Sequence, residues 1–204
     1  MRWGLVPEWS PEFSTKLSTI NAKSGTVFES KLYKKAIVQK RCLVPVSGFF
    51  EWKRDSTNKR PFKIYLKDAP IMSLAGIWTV WRAGSLEEQR SFSILTTAAN
   101  DFMLKIHDRM PVILDAKDWE QWLDPEVHEP ADIATLLKPY PTELLDCCEV
   151  STLVNSPRNK PCGSAGTIIN IFVIERSSTP PAWTPKTTFG RSCQLGCVGL
   201  DRCQ

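Results

Sequence analysis

The first two thirds of the chain are built from short apolar or alternating runs separated by turn-prone stretches, the pattern that β-strands leave in a sequence. Such runs occupy residues 41–46, 48–53, 62–66, 71–80 and 91–97. In Phe62-Lys63-Ile64-Tyr65-Leu66-Lys67 the alternation is nearly strict, so one face is buried and the lysines point to solvent. Turn residues gather at Asp55-Ser56-Thr57-Asn58-Lys59-Arg60-Pro61 and separate two of these strands. Helical periodicity is scarcer. Residues 26–35 bring Phe28, Leu32 and Lys35 near one stripe, and residues 115–123 set Trp119, Trp122 and Leu123 at helical spacing behind Asp115 as N-cap. Residues 132–137, after Pro130, predict a third short helix. Without a regular βαβ alternation, this pattern predicts an α+β fold: a mainly antiparallel, twisted, barrel-like sheet with a few short peripheral helices.

Composition narrows the class. With 204 residues, 42% hydrophobic and 24% charged, the chain has material for one good core, and disordered, collagenous or coiled-coil classes are excluded. No run of about 18 apolar residues occurs and Met1-Arg2-Trp3-Gly4 opens no export signal, so we expect no membrane partner and a cytoplasmic protein, nucleoid-associated in a bacterium. Seven cysteines without paired spacing fit a reducing compartment. Charge is uneven: residues 1–60 carry a net +7, residues 61–161 a net −5 and residues 162–204 a net +2. A basic front half suits a phosphate-bearing partner, although a solvated basic face has the same composition. Near Cys162 the character changes to a β-like stretch at 167–175, then Ser/Pro-rich and Gly/Cys-rich sequence. The expected division is a domain over 1–161 and a poorly ordered appendage over 162–204.

Four segments place polar groups where polarity is costly. Asn21, in Ile20-Asn21-Ala22-Lys23, is either a turn residue or a ligand-holding amide. Glu51, among Phe49, Phe50 and Trp52, admits two placements: turned outward by strand alternation, or inward, where lost hydration raises its pKa and suits it to acid–base work. His107, in Ile106-His107-Asp108-Arg109-Met110-Pro111, stands beside a carboxylate and a guanidinium, a grouping that suits a proton shuttle next to an anion-binding group. Trp3 and Trp9, in the opening Arg2–Trp9 stretch, are either core or base-stacking residues. Nucleotide-binding glycine loops, zinc-protease and nucleophile-elbow motifs do not occur, and Cys193, Cys197 and Cys203 are too few for a zinc site, so neither cofactor nor metal is expected.

In combination these segments are more specific than any one of them. Trp3-Gly4-Leu5-Val6-Pro7 with Trp9, Asn21-Ala22-Lys23, Arg41-Cys42-Leu43-Val44-Pro45 leading into Gly48-Phe49-Phe50-Glu51-Trp52-Lys53, Thr96-Thr97-Ala98-Ala99-Asn100, the segment 106–111, and Val150-Ser151 with Val154-Asn155, in this order, resemble the SRAP family. These are the SOS response-associated peptidase-like, or abasic site processing, proteins, and the resemblance covers roughly residues 1–160. It implies a monomer that binds single-stranded DNA containing abasic sites and becomes covalently linked to them, with peptidase-like self-processing. By motif, Asn21 matches the family's active-site asparagine, Glu51 its acid–base carboxylate and His107 the histidine that assists ring opening and Schiff-base proton transfers. Trp3, Lys23 and Arg109 would lie against the DNA.

Three positions depart from the family pattern. The family begins Met-Cys-Gly-Arg and runs for several dozen residues before its Trp-Gly segment, whereas Arg2 stands second here. The expectation is therefore an N-terminally incomplete SRAP domain without the cysteine whose amine and thiol close a thiazolidine on the abasic aldehyde. Lys23 replaces the usual arginine, and Gly25 a common glutamate. Two other functions stay open: a noncatalytic single-stranded DNA-binding module, and a cysteine hydrolase pairing Cys42 with His107.

Overall fold

A computed structural model describes residues 1–15, 17–54 and 59–156. The strands are β1 (Arg2–Trp3), β2 (Asn21–Lys23), β3 (Arg41–Val46), β4 (Phe49–Arg54), β5 (Lys59–Leu66), β6 (Met72–Trp81), β7 (Gln89–Ala98), β8 (Arg109–Pro111), β9 (Ile113–Leu114) and β10 (Leu145–Glu149). The α-helices are α1 (Lys34–Gln39), α2 (Trp119–Leu123) and α3 (Pro130–Ala134). They form two sheets. The larger runs β1-β7-β6-β3, with β2 and β8 also on β7 and β9 on β6, and the smaller runs β10-β5-β4. β1 and β2 lie parallel to β7, and every other pairing is antiparallel. The α+β class expected from the sequence is found, with one correction: the twisted large sheet does not close into a barrel, because β3 pairs with β6 alone among the described residues.

Two apolar clusters occupy the two faces of the large sheet. Leu43, Ala75, Ile77 and Leu95 face a cluster completed by α1, α2 and α3 through Ile37, Trp122 and Ile133. Val44, Leu74, Phe92 and Ile94 face the second cluster, which the small sheet closes with Ile64 and Leu145. The β3–β6–β7 register sets these partners side by side, Leu43 opposite Ala75 and Gly76 opposite Ile94. Gly76 is required by proximity: a Cβ there would stand 2.8 Å from the Cys42 sulfur and 3.0 Å from Val44. Gly48 is required by conformation. Its φ of +147° turns the chain from β3 into β4. A Cβ there would meet the Ile64 carbonyl oxygen at 2.5 Å.

Arg41 joins the layers. Its buried guanidinium donates to the carbonyls of Ile37 and Val38 at the end of α1, of Trp122 and Asp124 at the end of α2, and of Val127. Carbonyls at helix ends lack intrahelical partners, so one cation caps two helices. Trp122 answers by donating its indole N–H to the Cys42 carbonyl at 2.9 Å.

The helices depart most from the expectations. The stripe at 26–35 is not a helix: a 3-10 turn at Ser24–Thr26 and further turns precede α1. There the Ser30 hydroxyl accepts the Leu32 N–H at 3.3 Å, a local bond that competes with helix, while Val27, Phe28 and Leu32 still reach the core. Asp115 does not cap the next helix with its side chain. Its carboxylate accepts the Tyr140 hydroxyl at 2.7 Å, and burial with this bond pushes the phenol up to about 12. The third helix begins at Pro130 itself, whose fixed φ suits a first turn. The appendage over 162–204 lies outside the described residues.

Arg41→Met should lower the urea midpoint by an amount corresponding to about 3 kcal/mol, since it leaves several carbonyls without a donor. Arg41→Lys should recover only a small part, because an ammonium cannot span both helix ends. Equilibrium unfolding followed by tryptophan fluorescence reads both changes.

Candidate active site

β7 aligns most of the candidate residues. Trp3 stands opposite Phe92, Asn21 opposite Ile94 and Lys23 opposite Thr96. Paired residues share a sheet face, so these three side chains form a line on the face that carries Phe92, Ile94 and Thr96. Ala22, between Asn21 and Lys23, is buried on the opposite face. The Tyr33 hydroxyl donates to the Asn21 carbonyl at 3.4 Å, and the Trp3 indole N–H donates to the Ile20 carbonyl at 2.8 Å. Both bonds fix this edge.

Arg109 reaches the same face from the other edge, where β8 sets it opposite Ala98. Its Nη2 donates to the Thr96 carbonyl at 2.7 Å and to the Thr96 hydroxyl at 2.9 Å. Lys23 and Arg109 thus flank Thr96 from opposite edges of β7, giving two cations one anchor.

Glu51 comes from the small sheet. On β4 it lies on the same side as Phe49, and opposite Phe62 of β5, both of which pack into the cluster between the sheets. Alternation therefore turns Glu51 inward and half-buries it, while Phe50 and Trp52 take the other face. Burial raises its pKa; the charge of His107 and the Trp52 backbone N–H oppose that rise, and Asp108 adds to it. Glu51, on a strand of the small sheet, is thus within electrostatic reach of His107, on the loop that leads into β8.

His107 sits between the 3-10 turn Met103–Lys105 and β8, its backbone N–H bonded to the Met103 carbonyl at 2.8 Å. Its Nδ1 lies 3.1 Å from the Arg109 N–H and 3.3 Å from the Arg109 carbonyl, accepting from the first in one tautomer and donating to the second in the other. Asp108 Oδ1 lies 3.1 Å from the same Nδ1 and is the partner for the charged ring. The arrangement offers a protonatable carboxyl and an imidazole for proton transfer, with two cations beside them for an anion.

A cleft of about 500 Å³ is lined by Phe13, Trp81, Arg82 and Glu87 and shares no residue with this site. Cys42 is fully buried in the core, which removes it from solvent and from the hydrolase role considered above. Trp9 and Asn155 were noted in the sequence, but the side chains each of them meets were not. Trp9 is 70% exposed and lines a small cleft with Lys31 and Lys35, a basic–aromatic grouping whose signal was the cluster of lysines after residue 30. Asn155 accepts the Trp52 indole N–H at 2.6 Å, tying the loop after β10 to the neighbour of Glu51. Among the described residues no group of His, Cys, Asp or Glu is arranged to hold a metal.

The chain is a two-sheet α+β domain that gathers a half-buried carboxyl, an imidazole and flanking cations at one face of its large sheet. The chain belongs to the SOS response associated peptidase (SRAP) family, whose model matches residues 1–157. It is 38% identical over 160 residues to the abasic site processing protein YoqW of Bacillus subtilis (strain 168), covering 78% of this chain and 71% of that protein. With the abasic site processing protein HMCES of Xenopus tropicalis it shares 33% over 182 residues, 78% of this chain and 54% of that protein. A crystal structure of a Bacteroides thetaiotaomicron protein superposes with a TM-score of 0.71 at 38% identity, covering 83% of this chain and 75% of that one.

Because folding holds a proton on Glu51 at pH values where the unfolded chain has released it, the carboxyl stabilises the fold most at low pH. That contribution falls as pH rises from the ordinary carboxyl pKa through the raised one. Glu51→Gln cannot ionise, so its stability relative to the parent should be level below about pH 4 and increase toward about pH 8. Denaturant midpoints across that range test this, and a difference that declines with pH would refute the inward, desolvated carboxyl.

Proposed function

We propose that this chain recognises abasic sites in single-stranded DNA and processes them through covalent chemistry on the ring-opened sugar. The observation that carries the reading is the half-buried Glu51, turned into the space between the sheets within electrostatic reach of His107, on the side of the large sheet that holds Lys23 and Arg109. The names of the relatives and the basic front half support it. In this reading His107 moves the proton that opens the deoxyribose ring to its aldehyde. Glu51, with its raised pKa, donates and accepts protons as an amine adds to that aldehyde and water leaves. Asn21 orients the sugar with its exposed amide. Lys23 and Arg109 bind the neighbouring phosphates, and Trp3 and Trp9 offer faces for flanking bases.

Closure of the adduct follows the SRAP resemblance. An N-terminal cysteine supplies both groups: its amine forms the imine, and its thiol then adds to the imine carbon to give a thiazolidine. The 204 residues as written open with Met1-Arg2. An amine without a thiol beside it, such as that of Lys23, reaches only the imine stage.

The reading predicts tighter binding to single-stranded than to duplex DNA, with affinity falling as salt rises because phosphate contacts release counterions. Anisotropy titrations at several salt concentrations measure this; equal affinity for both forms would overturn the single-strand preference.

For the chemistry, two versions of the chain are compared on an abasic oligonucleotide: the 204 residues as written, and the same residues preceded by a family-type segment whose mature N-terminus is cysteine. The second should give an adduct that survives denaturing electrophoresis, and the first an adduct seen only after borohydride reduction. Glu51→Gln or His107→Gln in the second should slow adduct formation by about a hundredfold. Unchanged rates in both variants would remove the proposed acid–base pair.

A further inference from the structure

We infer that Lys53 and Arg60, which face each other across the β4–β5 hairpin beyond Glu51, hold a backbone phosphate next to the abasic sugar. The inference rests on the single-strand reading above, and it gives the site a second bank of cations on the small sheet, across from Lys23 and Arg109 on the large one.

Strand register builds the place. Alternation along β4 sets Phe49, Glu51 and Lys53 on one face, and pairing sets Ile64, Phe62 and Arg60 opposite them in turn. The pair Phe49–Ile64 lies in the cluster between the sheets. The next pair holds the half-buried carboxyl, with Glu149 of β10 on the far side of Phe62. The third pair opens the same face toward solvent, Lys53 standing two strand residues, about 7 Å, beyond Glu51. A sugar at Glu51 and a phosphate at Lys53 can therefore belong to neighbouring parts of one strand.

Two cations directly opposite on one sheet face repel each other, and the side chains around them relieve only one. Arg60 Nη1 donates to Glu149 at 3.2 Å, and its guanidinium carbon lies 5.8 Å from the Phe62 ring centroid. These contacts orient the guanidinium while leaving 43% of the side chain exposed. No carboxylate among the described residues pairs with Lys53, which is partly exposed. The sequence offers little relief nearby, since residues 53–60 carry four cations and one acid. An anion between Lys53 and Arg60 removes the repulsion. A phosphate diester, with two open oxygens, suits an ammonium and a guanidinium together. Lysine on an edge strand can also serve to discourage edge pairing, but that use does not call for cation opposite cation on the face of the buried carboxyl.

The test uses oligothymidylate carrying one tetrahydrofuran abasic analogue, with each phosphate near the analogue replaced in turn by an uncharged methylphosphonate. Anisotropy titrations give the Kd. The double variant Lys53→Gln with Arg60→Gln should bind the unmodified strand about tenfold more weakly than the parent, with a salt slope lower by about one. A control that removes the same charge on the helical side, Lys117→Gln with Lys138→Gln, should bind as the parent does. At one phosphate position the methylphosphonate should weaken the parent by about tenfold and leave the Lys53/Arg60 variant unchanged, as expected when both changes delete one contact. Thermal melts identify a variant that has lost its fold. Lys53→Gln, which relieves the repulsion, should melt no lower than the parent and then carries the result alone. Methylphosphonate effects of equal size in parent and variant at every position would overturn the inference and leave the single-strand reading standing. A parent chain that binds none of the oligonucleotides would overturn that reading, and the inference with it.

Discussion

Strand β7 is the constraint on which the other parts depend, because its buried side chains include hydroxyls that must be hydrogen-bonded. Ser91, Ser93, Thr96 and Thr97 are all buried. Ser91 accepts the Val6 N–H at 2.8 Å, Ser93 donates to the Thr19 carbonyl, Thr96 accepts from Arg109, and Thr97 donates to the Leu137 carbonyl at 3.1 Å. Each bond secures a segment with little regular structure of its own. The opening chain, the approach to β2, the edge strand β8 and the end of the helical region are all fastened to one strand. An apolar β7 would pack as well and would lose these four attachments.

The candidate site takes its order from that strand and its buried carboxyl from the other sheet. Trp3, Asn21, Lys23 and Arg109 sit on strands of two or three residues, too short to be stable alone, and hold position because β7 supplies their partners. Glu51 arrives on β4 after the turn at Gly48, and its inward placement costs hydration that an outward one would keep. In the proposed acid–base role, stability and function therefore oppose each other at this residue.

Much of this was legible in the sequence, and what was not has physical reasons. Strands showed as apolar runs because both faces of β3, β6 and β7 are covered, which makes period and burial agree over six to ten residues. The helices were harder, since α1, α2 and α3 have only five or six residues and their ends are fixed by distant partners such as Arg41. Asp115 read as a cap because local chemistry favours one; a tyrosine 25 residues away took the carboxylate instead. The site segments were visible as motifs. That Glu51 comes within reach of His107 was not, because no local pattern reports which strand and which distant loop approach one another. The role of Thr96 in holding Arg109 was equally silent, since a threonine in a strand needs no further explanation.

The bond between Trp52 and Asn155 gives the domain an unusual exit. The backbone N–H of Trp52 faces the Glu51 carboxylate while its indole is held by the loop that ends the described chain. Asn155 is thus tied one residue from the carboxyl rather than at a remote corner. A disturbance of the Thr152–Asn155 turn would pass to Glu51 through a single indole ring, so a probe placed on that turn would report on the surroundings of the carboxyl.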